Sequence, residues 1–173
     1  MVLILDTDTL QRIRTHAEQT YPEECCGILI GRGSCHPEGI ECRSVVEATP
    51  VDNGWDAEAT AIVNSLMGAE FSETANTKRR RYWIDPQALL TAQRTARARA
   101  LDIIGIYHSH PDHPAVPSEC DRTLAWSGYS YIIVSVAQGQ AADVRSWCLD
   151  ENHQFQAEAM RMEAQPPQKI SPQ

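Results

Sequence analysis

Residues 102–121 read "DIIGIYHSHPDHPAVPSECD", and this stretch carries most of the information about the fold. Its first part, 103–107, is apolar and predicts a buried strand that becomes polar at its end. Side chains two residues apart on a strand point to the same face, so His108 and His110 are expected side by side near the strand's C-terminal end. Such a pair would repel if both rings were charged, but it suits one cation if both are neutral. Structural histidines are the alternative, and the pair alone does not decide between them.

The second part of the stretch brings two more polar residues back toward the histidines. Three prolines in "PDHPAVP" (111–117) stiffen the connection, and "SECDRTLAW" (118–126) predicts a short helix after it. Ser118 and Asp121 have the N-cap and N3 spacing of a capping box. Alternatively, Asp121 completes a set of two histidines and one carboxylate, the three-ligand pattern of catalytic zinc with an open fourth position. We expect Asp121 to do only one of these, whereas Ser118 can cap the helix with its hydroxyl facing the open site.

Two glutamates offer the proton acceptor that a metal-activated water needs. Glu23 and Glu24 stand directly before the apolar run "CCGILIG" (25–31), which predicts a buried strand. Hydrolytic zinc sites pair the metal with a carboxylate that takes the proton of the water and passes it to the leaving amine. A pair of solvated turn carboxylates is the alternative interpretation.

Together these residues resemble the JAMM (MPN-plus) metalloprotease family. The signature of that family is an upstream glutamate, then H-[ST]-H, seven residues, S, two residues and D, and "HSHPDHPAVPSECD" (108–121) matches it without departure. The family's glutamate usually lies three residues before a glycine in an apolar strand. This spacing favours Glu24, three residues before Gly27, over Glu23.

The resemblance implies a role for each residue of the signature. It implies one Zn²⁺ per chain, with His108, His110 and Asp121 as ligands and water in the fourth position. It casts Glu24 as general acid and base, and Ser118 as a hydrogen-bond donor to the developing oxyanion. Family members hydrolyse amide or isopeptide bonds formed by the C-termini of ubiquitin-like proteins, so a zinc metalloprotease is expected here.

The chain looks most like the small bacterial branch of this family, in which some enzymes act on ubiquitin-like sulfur-carrier proteins. Such a carrier is the expected substrate, and an exposed sheet edge beside the zinc is expected to bind its Gly-Gly tail by strand addition. After Asp121 the chain passes almost directly into "YSYIIVS" (129–135), which leaves no room for the long insertions of the deubiquitinases. A general zinc peptidase and a non-catalytic MPN scaffold are the alternatives.

The rest of the chain alternates strands and helices, which predicts an α/β (α+β) fold. The resemblance implies a largely antiparallel, twisted sheet flanked by helices. We predict a single metalloprotease domain over 1–150 and a frayed or helical, partly disordered tail over 151–173. The predicted strands are 2–5, 25–31, 42–49, 80–84, 102–110, 129–136 and 141–149, and the predicted helices lie between Asp6 and Pro22, at 85–101 and at 118–126. Segment 50–78 is expected to be an insertion-like loop with a short helix.

Composition excludes several classes of partner. The 23 acidic and 15 basic residues give a formal net charge of −8, which argues against nucleic acid. No stretch approaches the ~18 apolar residues of a membrane span, and "MVLILDTDTL" (1–10) lacks the pattern of a signal peptide, so a cytoplasmic protein is expected. The 6 cysteines form no C-x-x-C pair and are expected to be reduced. The basic cluster "KRRR" (78–81) is either a solvated strand end or a patch for an acidic partner surface.

Overall fold

Seven strands form one sheet that closes on itself in the computed structural model, which describes residues 1–35, 41–67 and 77–163. Their order around the sheet is β1-β3-β2-β4-β5-β6-β7, with β7 paired back onto β1. The strands are β1 (Val2–Leu5), β2 (Cys26–Cys35), β3 (Glu41–Val51), β4 (Asp102–Pro111), β5 (Ser130–Ala137), β6 (Gln140–Leu149) and β7 (Phe155–Met162). The helices of the described ranges are α1 (Thr7–Thr20), α2 (Ala57–Met67), α3 (Pro86–Ala98) and α4 (Glu119–Leu124).

The predicted α/β (α+β) class is confirmed, and the sheet is mixed. The pairs β2–β3, β2–β4, β5–β6 and β6–β7 are antiparallel, whereas β1–β3, β1–β7 and β4–β5 are parallel. The expectation of an exposed sheet edge beside the histidines is wrong. The strand that carries them, β4, is hydrogen-bonded to β2 on one side and to β5 on the other.

Strand β4 is buried on both faces, which explains its continuous apolar sequence. Ile104 and Tyr107 pack with Ile13 and Ala17 of α1 in one core cluster. Ile103 and Ile106 pack in a second cluster, against the face that α3 covers through Ala96. The strand therefore lies between the two core clusters, and this packing fixes the position of its C-terminal end.

The two longer helices begin at the residues that the sequence predicts. The side chain of Asp6 accepts a hydrogen bond from the Thr9 backbone N–H at 2.8 Å and caps α1. The side chain of Asp85 caps α3 in the same manner, with Pro86 at the first helical position. Among the described residues, no helix is long and apolar enough to cross a membrane.

Two predicted elements differ from the structure. Residues 80–84 are not a strand, because their backbone groups bond to the segment around Asn53 instead of to a sheet partner. Residues 155–162, expected within a frayed or helical tail, form β7 and pair with both β1 and β6. The remainder of the predicted tail, 164–173, lies outside the described residues, as do residues 68–76 of the predicted insertion-like loop.

Candidate metal centre and active site

The two histidines lie at the C-terminal end of β4 with their side chains directed to one point. The Nε2 atoms of His108 and His110 are 3.1 Å apart. His108 is fully buried, and His110 is 8% exposed. The same-face placement expected from their i, i+2 spacing is therefore what the structure shows.

Hydrogen bonding determines which nitrogen of His110 is available as a ligand. Its Nδ1 lies 2.9 Å from the Pro114 carbonyl oxygen, which can only accept, so Nδ1 carries the proton. The Nε2 atom then keeps its lone pair and faces His108. Such a bond behind a ligating ring is the usual way in which proteins orient a metal-binding histidine.

His108 is held by packing more than by hydrogen bonds. Its ring stacks on Tyr82 with a centroid distance of 4.4 Å, and no described group bonds to its buried Nδ1. Burial lowers the pKa of His108, although the neighbouring Asp121 carboxylate opposes this effect. Burial acts to lower the pKa of His110, but the nearby carboxyl groups of Asp121 and Glu24 and the bond to the Pro114 carbonyl together outweigh it, so this pKa is raised.

The carboxylate of Asp121 completes the group from the first turn of α4. Its Oδ1 is 3.4 Å from His108 Nε2, and its Oδ2 is 3.6 Å from His110 Nε2. Burial acts to raise the pKa of Asp121, but the two histidines outweigh it and hold this pKa well below the usual range. Asp121 is therefore an anion next to two imidazole nitrogens.

The expectation that Asp121 must choose between capping the helix and facing the histidines is wrong. Its Oδ2 accepts a hydrogen bond from the Ser118 backbone N–H at 2.6 Å, and the Ser118 Oγ accepts one from the Asp121 N–H at 3.2 Å. This is a complete capping box. A carboxylate has two oxygens, so Oδ2 can cap the helix while Oδ1 remains directed at His108.

The donor set fits a metal ion. One atom each from His108, His110 and Asp121 can be chosen so that all three lie within 4.8 Å of one another, and all three residues are buried. Two neutral imidazole nitrogens and one carboxylate oxygen are ligands that first-row divalent metals accept. The buried group is thus suited to a single ion with protein ligands on one side.

Glu24 faces this group from a position two residues before β2. It is 5% exposed, whereas Glu23 is exposed, so the structure separates the two glutamates that the sequence offers. Burial raises the pKa of Glu24 to about 8; the neighbouring His110, Arg81 and Arg80 limit the rise, whereas the Asp121 carboxylate adds to it. In the metal-free protein this carboxyl group can therefore both accept and release a proton near neutral pH.

Asn53 fixes the segment opposite the histidines. Its amide nitrogen donates to the carbonyl oxygens of Glu24 and Arg81, at 3.0 and 2.9 Å. Its amide oxygen accepts from the backbone N–H groups of Trp55 and Trp83, at 3.0 and 3.2 Å. One partly buried side chain thereby ties the segment before β2 to residues 81–83, in place of the strand pairing that the sequence suggested.

These elements enclose a cavity of about 210 Å³, which we call the active-site cavity. Ser118 contributes to its wall, and its hydroxyl proton stays available because Oγ accepts its bond from the backbone. His113 also lies in the wall, whereas Cys120 packs away from it against Trp55 and Val63. The lining residues are Glu24, Arg80, Arg81, His110, His113, Pro114, Val116 and Ser118.

Four contributors to the site were not predicted as site residues. Asn53 lies in a turn-like sequence that gives no sign of its bonding role, and the position of Tyr82 over His108 depends on tertiary packing. Arg80 and Arg81 did have a signal, because the sequence marks "KRRR" (78–81) as its one basic cluster. That cluster was interpreted as the end of a strand or a partner patch, not as part of a cavity.

The spacing between Glu24 and Gly27 has a packing reason. A Cβ atom on Gly27 would lie 2.1 Å from the ring of Tyr107, which is 1% exposed and hydrogen-bonded to His16 at 2.9 Å. No side chain fits this position without moving a buried ring that belongs to β4. The glycine therefore keeps the strand that follows Glu24 close to the strand that carries the histidines.

Comparison with known families agrees with this geometry. A sequence model described as prokaryotic homologs of the JAB domain matches residues 6–150. The chain belongs to this family, and the predicted JAMM/MPN resemblance is confirmed.

Individual relatives support the same assignment. The chain is 30% identical over 138 residues to a protein of Haloferax volcanii named desampylase, with 77% of this chain and 80% of the relative covered. It is 29% identical over 133 residues to a Thermus thermophilus protein named probable TtuB-protein conjugate cleaving protease, with 77% of this chain and 70% of the relative covered.

Solved structures share the fold. A solution structure of a Desulfitobacterium hafniense protein matches with a TM-score of 0.71 and 25% identity, covering 96% of this chain and 97% of the other. A solution structure of a Salinibacter ruber protein matches with a TM-score of 0.61 and 30% identity, covering 98% of this chain and 94% of the other.

Proposed function

We propose that this protein is a zinc-dependent metallopeptidase that hydrolyses an amide bond at the C-terminus of a ubiquitin-like sulfur-carrier protein. The observation that carries the proposal is one cavity in which a buried His108, His110 and Asp121 group meets the carboxyl group of Glu24. One Zn²⁺ held by that group would polarise the substrate carbonyl and lower the pKa of a water molecule.

The protein's own residues then divide the work of hydrolysis. Glu24 takes a proton from the attacking water and delivers it to the leaving nitrogen as the C–N bond breaks. The products are the carboxylate of the carrier and a free amine. Ser118 donates its hydroxyl proton in a hydrogen bond to the carbonyl oxygen as negative charge develops there.

The named relatives support a protein conjugate as substrate. One is called a desampylase, and the other is called a protease that cleaves conjugates of TtuB with protein. The family resemblance adds the ubiquitin-like character of the carrier. A cytoplasmic location remains part of this proposal.

The test joins cleavage to metal content. Candidate carriers that end in Gly-Gly are fused to a C-terminal amino acid and incubated with zinc-loaded protein, and products are identified by mass spectrometry. Glu24→Gln is expected to keep its zinc and lose at least about 100-fold in rate, because glutamine fits the space but cannot accept a proton. Glu23→Gln, at the exposed neighbour, is the matched control and should remain active.

Each alternative predicts a different result. Equal rates on carrier fusions and on unrelated peptides would indicate a general zinc peptidase. A wild-type protein without zinc or turnover would indicate a non-catalytic scaffold. Full zinc content in a folded His108→Ala, His110→Ala double variant would contradict the assigned ligands.

A further inference from the structure

Two arginines flank the proton-transfer group of the active-site cavity. Arg80 and Arg81 line the same cavity as Glu24, and both act electrostatically on its carboxylate. Hydrolysis of an amide requires only one carboxyl group for proton transfer, so the adjacent guanidinium groups are not needed to complete it. Their position suggests that they contact the substrate.

The backbone that carries these arginines is fixed. The Glu24 N–H donates to the Lys78 carbonyl oxygen at 2.7 Å, and the Arg80 N–H donates to the Thr77 carbonyl oxygen at 2.9 Å. The Arg81 carbonyl oxygen accepts from Asn53. The guanidinium groups therefore extend from a segment that is anchored to the residue they flank.

Arg80 is uncommitted within the described part of the chain, where its side chain has no ion pair or hydrogen bond. Other arginines of this acidic protein do have carboxylate partners, in the pairs Arg43–Glu158, Arg99–Glu47, Arg122–Glu119 and Arg145–Asp143. A planar guanidinium is suited to bidentate binding of a carboxylate. Arg80 thus offers an anion-binding group at the cavity.

The position of Arg80 beside Glu24 favours an α-amino acid over a lysine side chain as the leaving amine. In an α-amino acid the carboxyl carbon is about 2.5 Å from the nitrogen, so a carboxylate lies beside any group that protonates that nitrogen. In an isopeptide the nitrogen is at the end of the lysine's four-carbon stem, and the lysine's own carboxyl group is part of an uncharged backbone amide. Cations beside Glu24 therefore match an α-linked leaving group.

We propose that Arg80, supported by Arg81, binds the free α-carboxylate of a single amino acid on the leaving side of the scissile bond. This inference rests on the proposed peptidase function, and it favours carriers that end in one extra α-linked amino acid over the protein conjugates named for the relatives.

The test measures binding separately from turnover. The zinc-loaded Glu24→Gln protein is titrated by NMR with acetyl-Ala-Gly-Gly-Ala as the free acid, and then with the same peptide as its C-terminal amide. The free acid is expected to bind about tenfold more tightly, as for a charge-assisted hydrogen bond at a partly exposed site. The net charge of −8 alone would favour the amide, so a preference for the acid requires local cations.

Variants in the basic cluster assign the effect. Arg80→Gln should abolish the preference, and Arg80→Lys should retain part of it because the charge remains without the planar fork. Arg79→Gln is the matched control, since Arg79 is exposed in the same segment but does not line the cavity. Equal affinities for acid and amide would overturn the inference, as would a preference that survives Arg80→Gln in a folded protein. Failure of the carrier fusions to be cleaved would contradict the proposed hydrolysis but would leave this binding difference measurable.

Discussion

At the scale of single residues, Glu24 shows how burial prepares a side chain for chemistry. A carboxylate with 5% exposure costs free energy unless it is neutralised, and here it is neutralised by keeping its proton up to a pH of about 8. A metal cation in the neighbouring group would favour the charged form and lower this pKa. The pH at which Glu24 loses its proton should therefore depend on whether a metal ion is bound.

This property predicts a pH-dependent stability in the metal-free protein. The pKa of Glu24 is raised from 4.5 to about 8 on folding, so the folded state holds a proton that the unfolded chain releases. The contribution of Glu24 to stability is therefore present below pH 4.5 and is lost as the pH rises to about 8. Glu24→Gln removes this loss, and its advantage over wild type should grow by about 3 kcal/mol between pH 5 and pH 8.

Urea denaturation of chelator-treated protein at the two pH values measures this change. Glu23→Gln is the control, because the Glu23 side chain is exposed and its charge is not buried on folding. An advantage of Glu24→Gln that is the same at both pH values would show that Glu24 is not held in its neutral form.

At the scale of secondary structure, helix α4 combines a cap with a site. Ser118 and Asp121 close the capping box, and the same two residues face the cavity and the histidines. Helix initiation thereby determines where both side chains lie. A substitution at Ser118 is expected to change helix stability and turnover together, and the two effects can be separated.

Ser118→Ala is predicted to lower kcat by about 100- to 1,000-fold, as for loss of one oxyanion donor, and to cost about 1 kcal/mol of stability through loss of the cap. Ser118→Gly should cost only a few tenths of a kcal/mol, because glycine is tolerated at the N-cap, yet it should lose the same rate. Melting temperature and kcat are measured on both variants with zinc content as a control. A Gly variant that recovers the rate would show that the hydroxyl acts only as a cap.

Local sequence patterns predicted most elements, and the exceptions have physical reasons. β4 and α3 were predicted because an apolar run and a capped helix are visible within the segment itself. Residues 80–84 have strand-forming side chains, but Asn53 binds their backbone groups from elsewhere in the chain. β7 has no apolar alternation to detect, because its one buried residue is Glu158.

The grouping of His108, His110 and Asp121 was predictable because all three lie within residues 108–121. Their spacing left structural alternatives open, and the family resemblance was needed to select them as a set of metal ligands. The choice of Glu24 over Glu23 agrees with the burial of Glu24, while its catalytic role stays a prediction. Asn53, Tyr82 and the arginines reach the site only through tertiary contacts, which no local pattern records. For Arg80 and Arg81, the sequence identified a basic cluster but did not predict that it lines the active-site cavity.

At the scale of the whole molecule, β7 closes the sheet between β1 and β6. Its Glu158 accepts hydrogen bonds from Ser146 at 2.7 Å and from Arg43 at 3.3 Å, inside the closed sheet. Arg43 also bonds to Ser130 at 3.1 Å. This buried network joins β3, β5, β6 and β7, so the fold depends on a segment beyond the domain boundary that the sequence suggested at residue 150.

Removal of residues 151–173 is therefore predicted to unfold the protein. It takes away β7 and leaves Arg43, whose side chain is 11% exposed, without its carboxylate. Breaking a fully buried pair costs about 3–5 kcal/mol, and this largely buried one should approach that range, against a typical stability of about 5–15 kcal/mol. Removal of residues 164–173 alone, which leaves β7 intact, is the control and should be tolerated. Circular dichroism and thermal unfolding compare the two. A cooperative unfolding transition in a chain that ends at residue 150 would show that β7 is not required and that the predicted 1–150 domain is correct.

The proximity of the proposed ligands along the chain has a consequence for how the protein matures. His108, His110 and Asp121 stay near one another even in an unfolded chain, so a metal ion can bind before tertiary structure forms. An ion that also binds the unfolded chain stabilises the folded state by less than its affinity suggests. Glu24, in contrast, joins the group only when β2 pairs with β4. If the proposed function holds, metal could therefore be acquired before activity, because only activity would require the complete fold.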